Sequence, residues 1–210
     1  MAKSKILLLD SIHESARKAF ETGGYEVCTF PASVLKGPLP EEFRDTAVIG
    51  IRSGNVISDA LLASAPQLLA IGAFCIGTNQ IDLAACSKRG VAVFNAPYSS
   101  SRSVAELALS FILNLSRSIC SHSMHMHYGV WEKTAEGAYE IRGKKLGIIG
   151  YGNIGTQLSV LAENLGMQVC FYDVADKMAL GNACKCASLE ELLKESDFIS
   201  MHIDGRGANK

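Results

Sequence analysis

A chain of 210 residues, 48% of them hydrophobic, holds enough apolar material for one large domain or two small ones. Its 20 basic and 21 acidic residues nearly cancel and are spread along the sequence, which excludes a nucleic-acid arm or a polybasic membrane patch and leaves small molecules or protein surfaces as partners. No run approaches the about 18 consecutive apolar residues of a membrane span, and the seven cysteines, odd in number and without a CxxC pair, read as reduced core residues of a cytosolic protein.

The opening "MAKSKILLLDS" has an apolar stretch that Asp10 ends, too short for the core of a signal peptide. Up to about residue 96, apolar strand-like runs ("KILLLDS", "YEVCTF", "AVIGIRS", "LLAIGAFCIG", "VAVFNAP") alternate with helical stretches ("ESARKAFETGG", "SDALLASAP", "QIDLAACSKRG"). That alternation predicts a parallel sheet buried on both faces. Gly23 and Gly90 stand where helices should stop, and Ser58 is placed to cap "DALLASA".

After Pro97 the pattern changes. Ser103 and Glu106 are spaced as a capping box, and Val104, Leu107, Ala108, Phe111, Ile112, Leu115 and Ile119 follow at helical spacing, with Leu109 and Leu113 on the other side. A helix apolar nearly all round should be buried on most faces, between two domains or against a second subunit. The histidines of "HSMHMHYG" (His122, His125, His127) invite a metal site. The third is off the face shared by the first two, however, and no acid or cysteine in the sequence pattern completes a set of four.

From Lys145 a second sheet is predicted: "KLGIIG", "MQVCFYD", a short "ACKC", the helix "SLEELLKES" and the strand "DFISMHI". The first strand runs into Gly150-Tyr-Gly152-Asn-Ile-Gly155, a GxGxxG. The following helix carries Ile154, Leu158, Leu161 and Leu165 on one face and stops at Gly166, and the next strand ends on Asp173, 18 residues after the last glycine. Each part has a physical task in dinucleotide binding. Gly150 permits a tight turn, Gly152 lets a pyrophosphate reach the backbone, and Gly155 allows close helix packing. The helix N-terminus offers N–H donors, and Asp173 would accept from the ribose diol. A carboxylate there repels a 2′-phosphate and no Arg follows at once, although Lys177 is near, so NAD is expected over NADP.

"AIGAFCIGTNQIDLAACSKRGVAVFNAPYSSSRSVAELAL" and "RGKKLGIIGYGNIGTQL" resemble the D-isomer-specific 2-hydroxyacid dehydrogenase family, over roughly residues 5 to 203. "FCIGTNQ" and "NAPYSSSRSVAE" point within it to the 3-phosphoglycerate dehydrogenase branch, which oxidises 3-phosphoglycerate to 3-phosphohydroxypyruvate with NAD in the first committed step of phosphorylated serine synthesis. The resemblance implies two doubly wound parallel-sheet domains, flavodoxin-like and Rossmann. The substrate domain would span 1–99 and the nucleotide domain 100–210, the latter incomplete and opening with a long helix that dimerises. It also implies cofactor contacts at Asn153, Ile154 and Asp173 around the three glycines, and substrate contacts at Arg52, Ser53 and Ser100. Lys133 resembles a basic residue reaching the substrate site from a neighbouring subunit of a homodimer or higher oligomer.

Two departures matter. Ser100 stands where the family has Asn, which shortens its reach; and after "DFISMHI" this chain reads "DGRGANK", where the family continues with a proline-containing loop and the second half of the nucleotide domain. The family's catalytic Arg, Glu and His all lie downstream of residue 203. The expectation is therefore a dehydrogenase chain with no assignable catalytic residue, inactive alone, whose reading frame ends early. A non-catalytic NAD-binding dimer, as in the family's corepressor relatives, is the alternative.

Overall fold

The computed structural model describes residues 4–203, an α/β chain that separates into two compact units, Met1–Ser99 and Ser100–Lys210. In the first unit five strands, β1 (Lys5–Leu9), β2 (Glu26–Phe30), β3 (Thr46–Ile51), β4 (Ala70–Ala73) and β5 (Ala92–Asn95), pair in parallel in the order β2-β1-β3-β4-β5. Leu7, Leu8 and Leu9 are all buried, because a central parallel strand is covered on both faces. Helices α1 (Glu14–Thr22), α2 (Asp59–Ser64) and α3 (Leu83–Lys88) form crossovers. The connection from β2 to β3 instead runs through two short 3-10 turns, Ala32–Lys36 and Glu41–Phe43. Leu7, Leu9, Phe43, Ile49, Ile51 and Ile71 belong to one core.

The second unit starts with α4 (Ser101–Arg117) and α5 (Ile119–His127). Then come β6 (Lys145–Ile149), α6 (Asn153–Asn164), β7 (Gln168–Tyr172), β8 (Cys184–Lys185), α7 (Leu189–Glu195) and β9 (Phe198–Met201). Its strands pair in parallel in the order β8-β7-β6-β9. Helix α4 lies against α6, and Ala105 and Ile112 share a core with Leu146, Ile148, Leu158, Ala162 and Phe171. In both sheets the strand order reverses once, between β1 and β3 in the first and between β6 and β9 in the second.

Several local readings need correction. Ser103 does not cap a helix: α4 begins two residues earlier, its N-cap Ser100 makes no side-chain bond, and Glu106 is held by Arg102 at 2.6 Å, one turn away. A close variant of the box occurs at Ser188 and Glu191 instead, where Glu191 N donates to the N-cap Ser188 Oγ at 3.2 Å and the Glu191 carboxylate accepts from Ala187 N, one residue before the cap, at 2.6 Å. Helix α4 is not buried on most faces. Its small residues and Ile112 point inward, while Leu107, Phe111 and Leu115 are each more than half exposed. Nor does it reach Ile119. Ser118 takes a left-handed conformation (φ 50°), the chain bends by 67°, and Asn114 Oδ1 accepts from Cys120 N at 2.8 Å to start α5.

Leu165 lies past the end of α6 and is 42% exposed, so the inner line of that helix is Gly155, Leu158, Ser159 and Ala162. Gly23 is the C-cap of α1, as expected, with the left-handed residue next at Gly24 (φ 85°), and Gly90 and Gly166 follow their helices with φ of 70° and 78°. Ser58 caps α2, its Oγ accepting from Leu61 N at 3.4 Å. The cysteines are all free, but Cys120 and Cys184 are exposed and not core residues. Burial raises the Cys86 thiol and, helped by the neighbouring Cys170, pushes Cys186 up to about 12, so both stay protonated at neutral pH. Among the described residues no single helix is long and apolar enough to cross a membrane. The segment "DGRGANK" lies outside the described residues.

Candidate functional site

In an open parallel sheet the carboxyl ends of the strands splay apart where the strand order reverses, leaving a crevice there. In the second unit the residues flanking that crevice are the β6–α6 turn and the end of β9. Gly150 has φ of 89°, and a Cβ on it would stand 2.6 Å from the His202 carbonyl oxygen. Both facts demand glycine. A Cβ on Gly155 would run into the Gly150 carbonyl oxygen and come within 3.0 Å of Ile148 Cγ2, so α6 can approach β6 only with glycine at that position.

Gly152 differs. Nothing lies within 4 Å of where its Cβ would be, and as N-cap of α6 it offers no side chain to the helix. The N–H groups of Asn153, Ile154 and Gly155 lie in the first helical turn, outside the helix's own hydrogen-bond ladder, at the positive end of a 12-residue dipole. Asn153 is exposed and Ile154 half-buried. An open backbone cradle of this kind fits a diphosphate.

Asp173 stands beside it. One carboxylate oxygen accepts from Tyr151 N at 2.8 Å, inside the glycine turn, and the other from Ala175 N at 2.8 Å. A carboxylate has about four acceptor sites, so two remain for a vicinal diol. Across the crevice, His202 N donates to the Ile149 carbonyl at 2.7 Å, and its Nε2 lies 2.9 Å from Ser200 Oγ. Burial holds the His202 imidazole below its ordinary pKa, which favours the neutral form.

In the first unit Arg52 and Ser53 follow β3, at the reversal between β1 and β3. Residues 52–55 form a tight turn closed by Asn55 N donating to Arg52 O at 3.1 Å, with Ser53 exposed at its tip. The exposed Arg52 guanidinium donates to the Ser11 carbonyl, just past β1, at 3.3 Å. Among the described residues it forms no ion pair with a carboxylate, which leaves most of its donors for an anion. Asn55 escaped the sequence reading. It is buried, and its Oδ1 accepts from Arg52 N at 2.8 Å, so it fixes the turn that carries the guanidinium. An Asn three residues after a strand-end Arg is the signal that could have found it.

Ser100 and Lys133 belong to the second unit. Ser100 is the N-cap of α4, its carbonyl accepting from Val104 N at 3.0 Å, and Lys133 is exposed in the segment before β6. His122 and His125 do share an acid: Glu132 lies 3.8 Å from His122 Nδ1 and 2.9 Å from His125 Nδ1. Among the described residues, however, no three His, Cys, Asp or Glu side chains are arranged to hold a metal. His13 caps α1, its Nδ1 accepting from Ser15 N at 3.2 Å.

A family model described as D-isomer specific 2-hydroxyacid dehydrogenase, catalytic domain, matches residues 6–200. The chain is 48% identical over 203 residues to a D-3-phosphoglycerate dehydrogenase of Haemophilus influenzae, covering 96% of this chain and 50% of that protein. A D-3-phosphoglycerate dehydrogenase of Dictyostelium discoideum is also 48% identical, over 201 residues, with 96% and 49% covered. The chain thus spans about half the length of the curated relatives it matches. Among solved structures, a D-lactate dehydrogenase of Aquifex aeolicus in complex with NAD and lactic acid superposes with a TM-score of 0.80 at 28% identity, over 94% of this chain and 60% of that one.

Gly150 and Gly152 should not respond alike to a methyl group. Gly150→Ala forces a strained φ against the His202 carbonyl and should cost about 1–3 kcal/mol of stability in urea unfolding, whereas Gly152→Ala should cost no more than about 1 kcal/mol. Equal losses at the two positions would contradict the open cradle at Gly152.

Proposed function

The chain belongs to the D-isomer specific 2-hydroxyacid dehydrogenase family, and from that premise we propose that it carries the NAD-binding and anion-binding parts of a 3-phosphoglycerate dehydrogenase, in the step that feeds serine synthesis. The observation that carries this reading is the open first turn at Gly152, with the Asp173 carboxylate hydrogen-bonded to the same turn. On this reading the unit Ser100–Lys210 holds the nucleotide and the unit Met1–Ser99 the substrate.

The first-turn N–H groups of Asn153, Ile154 and Gly155 bind the diphosphate, and Gly152 leaves room for it to reach the backbone. Asp173 accepts from the adenosine ribose diol, and its charge opposes a 2′-phosphate, so NAD is selected over NADP; the exposed Lys177 is too weak a counterweight in solvent to reverse that preference. The bound nicotinamide supplies the hydride acceptor for oxidation at C2 of the hydroxy acid. Arg52, a planar fork of donors without a carboxylate partner, grips a substrate carboxylate or phosphate. Ser53 adds a hydroxyl at the turn tip, Ser100 another with a shorter reach than an amide, and Lys133 a cation from a second copy.

None of the five histidines fits the acid–base role. His13 is a helix cap, His122, His125 and His127 lie on α5 and at neither strand reversal, and His202 flanks the nucleotide turn with burial lowering its pKa and no carboxylate partner among the described residues. We therefore read the 210-residue chain as a binding-competent piece that does not turn over alone. The exposed line Leu107, Phe111 and Leu115 on α4, spaced one turn apart, is the face we assign to a second copy.

Titration calorimetry on the full chain should show NADH binding, NADPH binding about ten-fold or more weaker, and no binding to Gly152→Val. Adding 3-phosphohydroxypyruvate should leave NADH absorbance unchanged. Absent NADH binding or equal NADPH affinity contradicts the cofactor assignment, and steady NADH oxidation contradicts the assignment of inactivity. In sedimentation velocity the chain should run as a dimer and Phe111→Glu as a monomer; a monomeric wild type removes the α4 interface.

A further inference from the structure

Tyr151 occupies the variable position between the first two glycines, where any side chain satisfies a GxGxxG, yet it is 1% exposed. Its ring stacks on Phe171 of β7 with centroids 3.8 Å apart and planes 16° from parallel. The hydroxyl lies 2.8 Å from Ser159 Oγ on α6 and accepts from Leu180 N at 3.3 Å. Ser159 Oγ donates to the Thr156 carbonyl at 2.8 Å. A carbonyl only accepts, so with the serine proton given to Thr156 O the phenol donates to Ser159 Oγ, and every hydroxyl proton then has an acceptor. The result is one directed chain: Leu180 N–H to Tyr151 Oη–H, to Ser159 Oγ–H, to Thr156 O.

Asp173 completes the pattern. Its carboxylate accepts from Tyr151 N on one side and from Ala175 N on the other. The segment 174–180 therefore begins at an acid bound to the Tyr151 backbone and ends at an amide bound to the Tyr151 hydroxyl. Between these two ties it is exposed, with Val174 86% and Met178 83% exposed; among the described residues the one side-chain tie along it is the surface pair of Asp176 and Lys185 at 2.7 Å. Burial of the ring and of Ser159 keeps the central bonds of the chain away from water, whereas the Asp176–Lys185 pair is solvent-screened.

We infer that Tyr151 is a positioning residue for the adenosine end of the dinucleotide: its hydroxyl holds the 174–180 segment against the glycine turn and so fixes the direction in which Asp173 presents its free lone pairs. This rests on the reading of the turn as a dinucleotide site. The acid is prepaid in its binding orientation, and the ligand then loses less free energy to ordering. Tyr151→Phe keeps the stacked ring and removes only the hydroxyl, leaving Leu180 N without its acceptor.

The experiment is titration calorimetry of the full chain with ADP-ribose, which contains the ribose and diphosphate but no nicotinamide, on wild type, Tyr151→Phe, Asp173→Ala and the double variant. Loss of one neutral hydrogen bond predicts about five-fold weaker binding for Tyr151→Phe. In the Asp173→Ala background the same change should cost less than about two-fold, because the hydroxyl acts through that carboxylate. Ser159→Ala, which removes the phenol's acceptor and leaves the ring in place, should weaken binding in the same direction. Unchanged affinity of Tyr151→Phe, or an equal loss with and without Asp173, overturns the inference and marks the hydroxyl as structural only. Failure of the wild-type chain to bind ADP-ribose is a different result, since it overturns the dinucleotide reading itself.

Discussion

Everything proposed for the second unit depends on how closely α6 comes to the chain that precedes it. The carbonyl of Gly150 stands where a Cβ of Gly155 would be, and the His202 carbonyl crowds the other side of Gly150. A larger residue at position 150 would displace the end of β9, and one at position 155 would force the helix away from β6. Its first-turn N–H groups would then no longer face the crevice between β6 and β9. The same turn donates Tyr151 N to Asp173 at 2.8 Å, so the partial positive charge of the helix end and the full negative charge of the acid stand side by side. These opposite charges suit opposite ends of a dinucleotide half, a diphosphate and a ribose diol.

The two units use one device with different chemistry. Each sheet reverses its strand order once, and each reversal carries the polar groups that the sheet itself does not consume. In the second unit they are backbone donors, which suit a phosphate held by many weak contacts. In the first they are concentrated in Arg52, on a turn that Asn55 fixes through both its backbone N–H and its side-chain oxygen. A guanidinium on a fixed turn loses little freedom when it grips an anion, which is the advantage of a fork of donors over a flexible ammonium. The apolar line Leu107, Phe111 and Leu115 is a separate matter, since α4 spends its small residues on α6 and leaves its large ones outside.

Much of this was legible in the sequence. Runs such as "ILLL" and "LGIIG" are apolar at every position, which suits a strand covered on both faces, and the GxGxxG with its later acid carried the β–α–β unit. What could not be read were contacts decided by competition between neighbours. Ser103 and Glu106 have the spacing of a capping box, but Arg102 captures Glu106 and the helix starts earlier; Ser188 and Glu191, with no such rival among the described residues, form a close variant of the box. The bend at Ser118 depends on Asn114 reaching over to Cys120 N, a tertiary choice that periodicity does not encode. Glu132 beside His122 and His125 is likewise a product of how the segment after α5 returns. Asn55 and Tyr151 were hidden for another reason: their importance lies in which atoms they pin, not in the residue types that a motif names.

The central claim is that the Gly150–Gly155 turn and Asp173 together form the dinucleotide cradle. Its most direct test is to follow backbone amide NMR signals of the 15N-labelled chain during titration with ADP-ribose. The account predicts shifts concentrated on residues 150–156 and 173–175, with the largest on the first-turn amides of α6. No shifts, or shifts concentrated elsewhere in the chain, would contradict it.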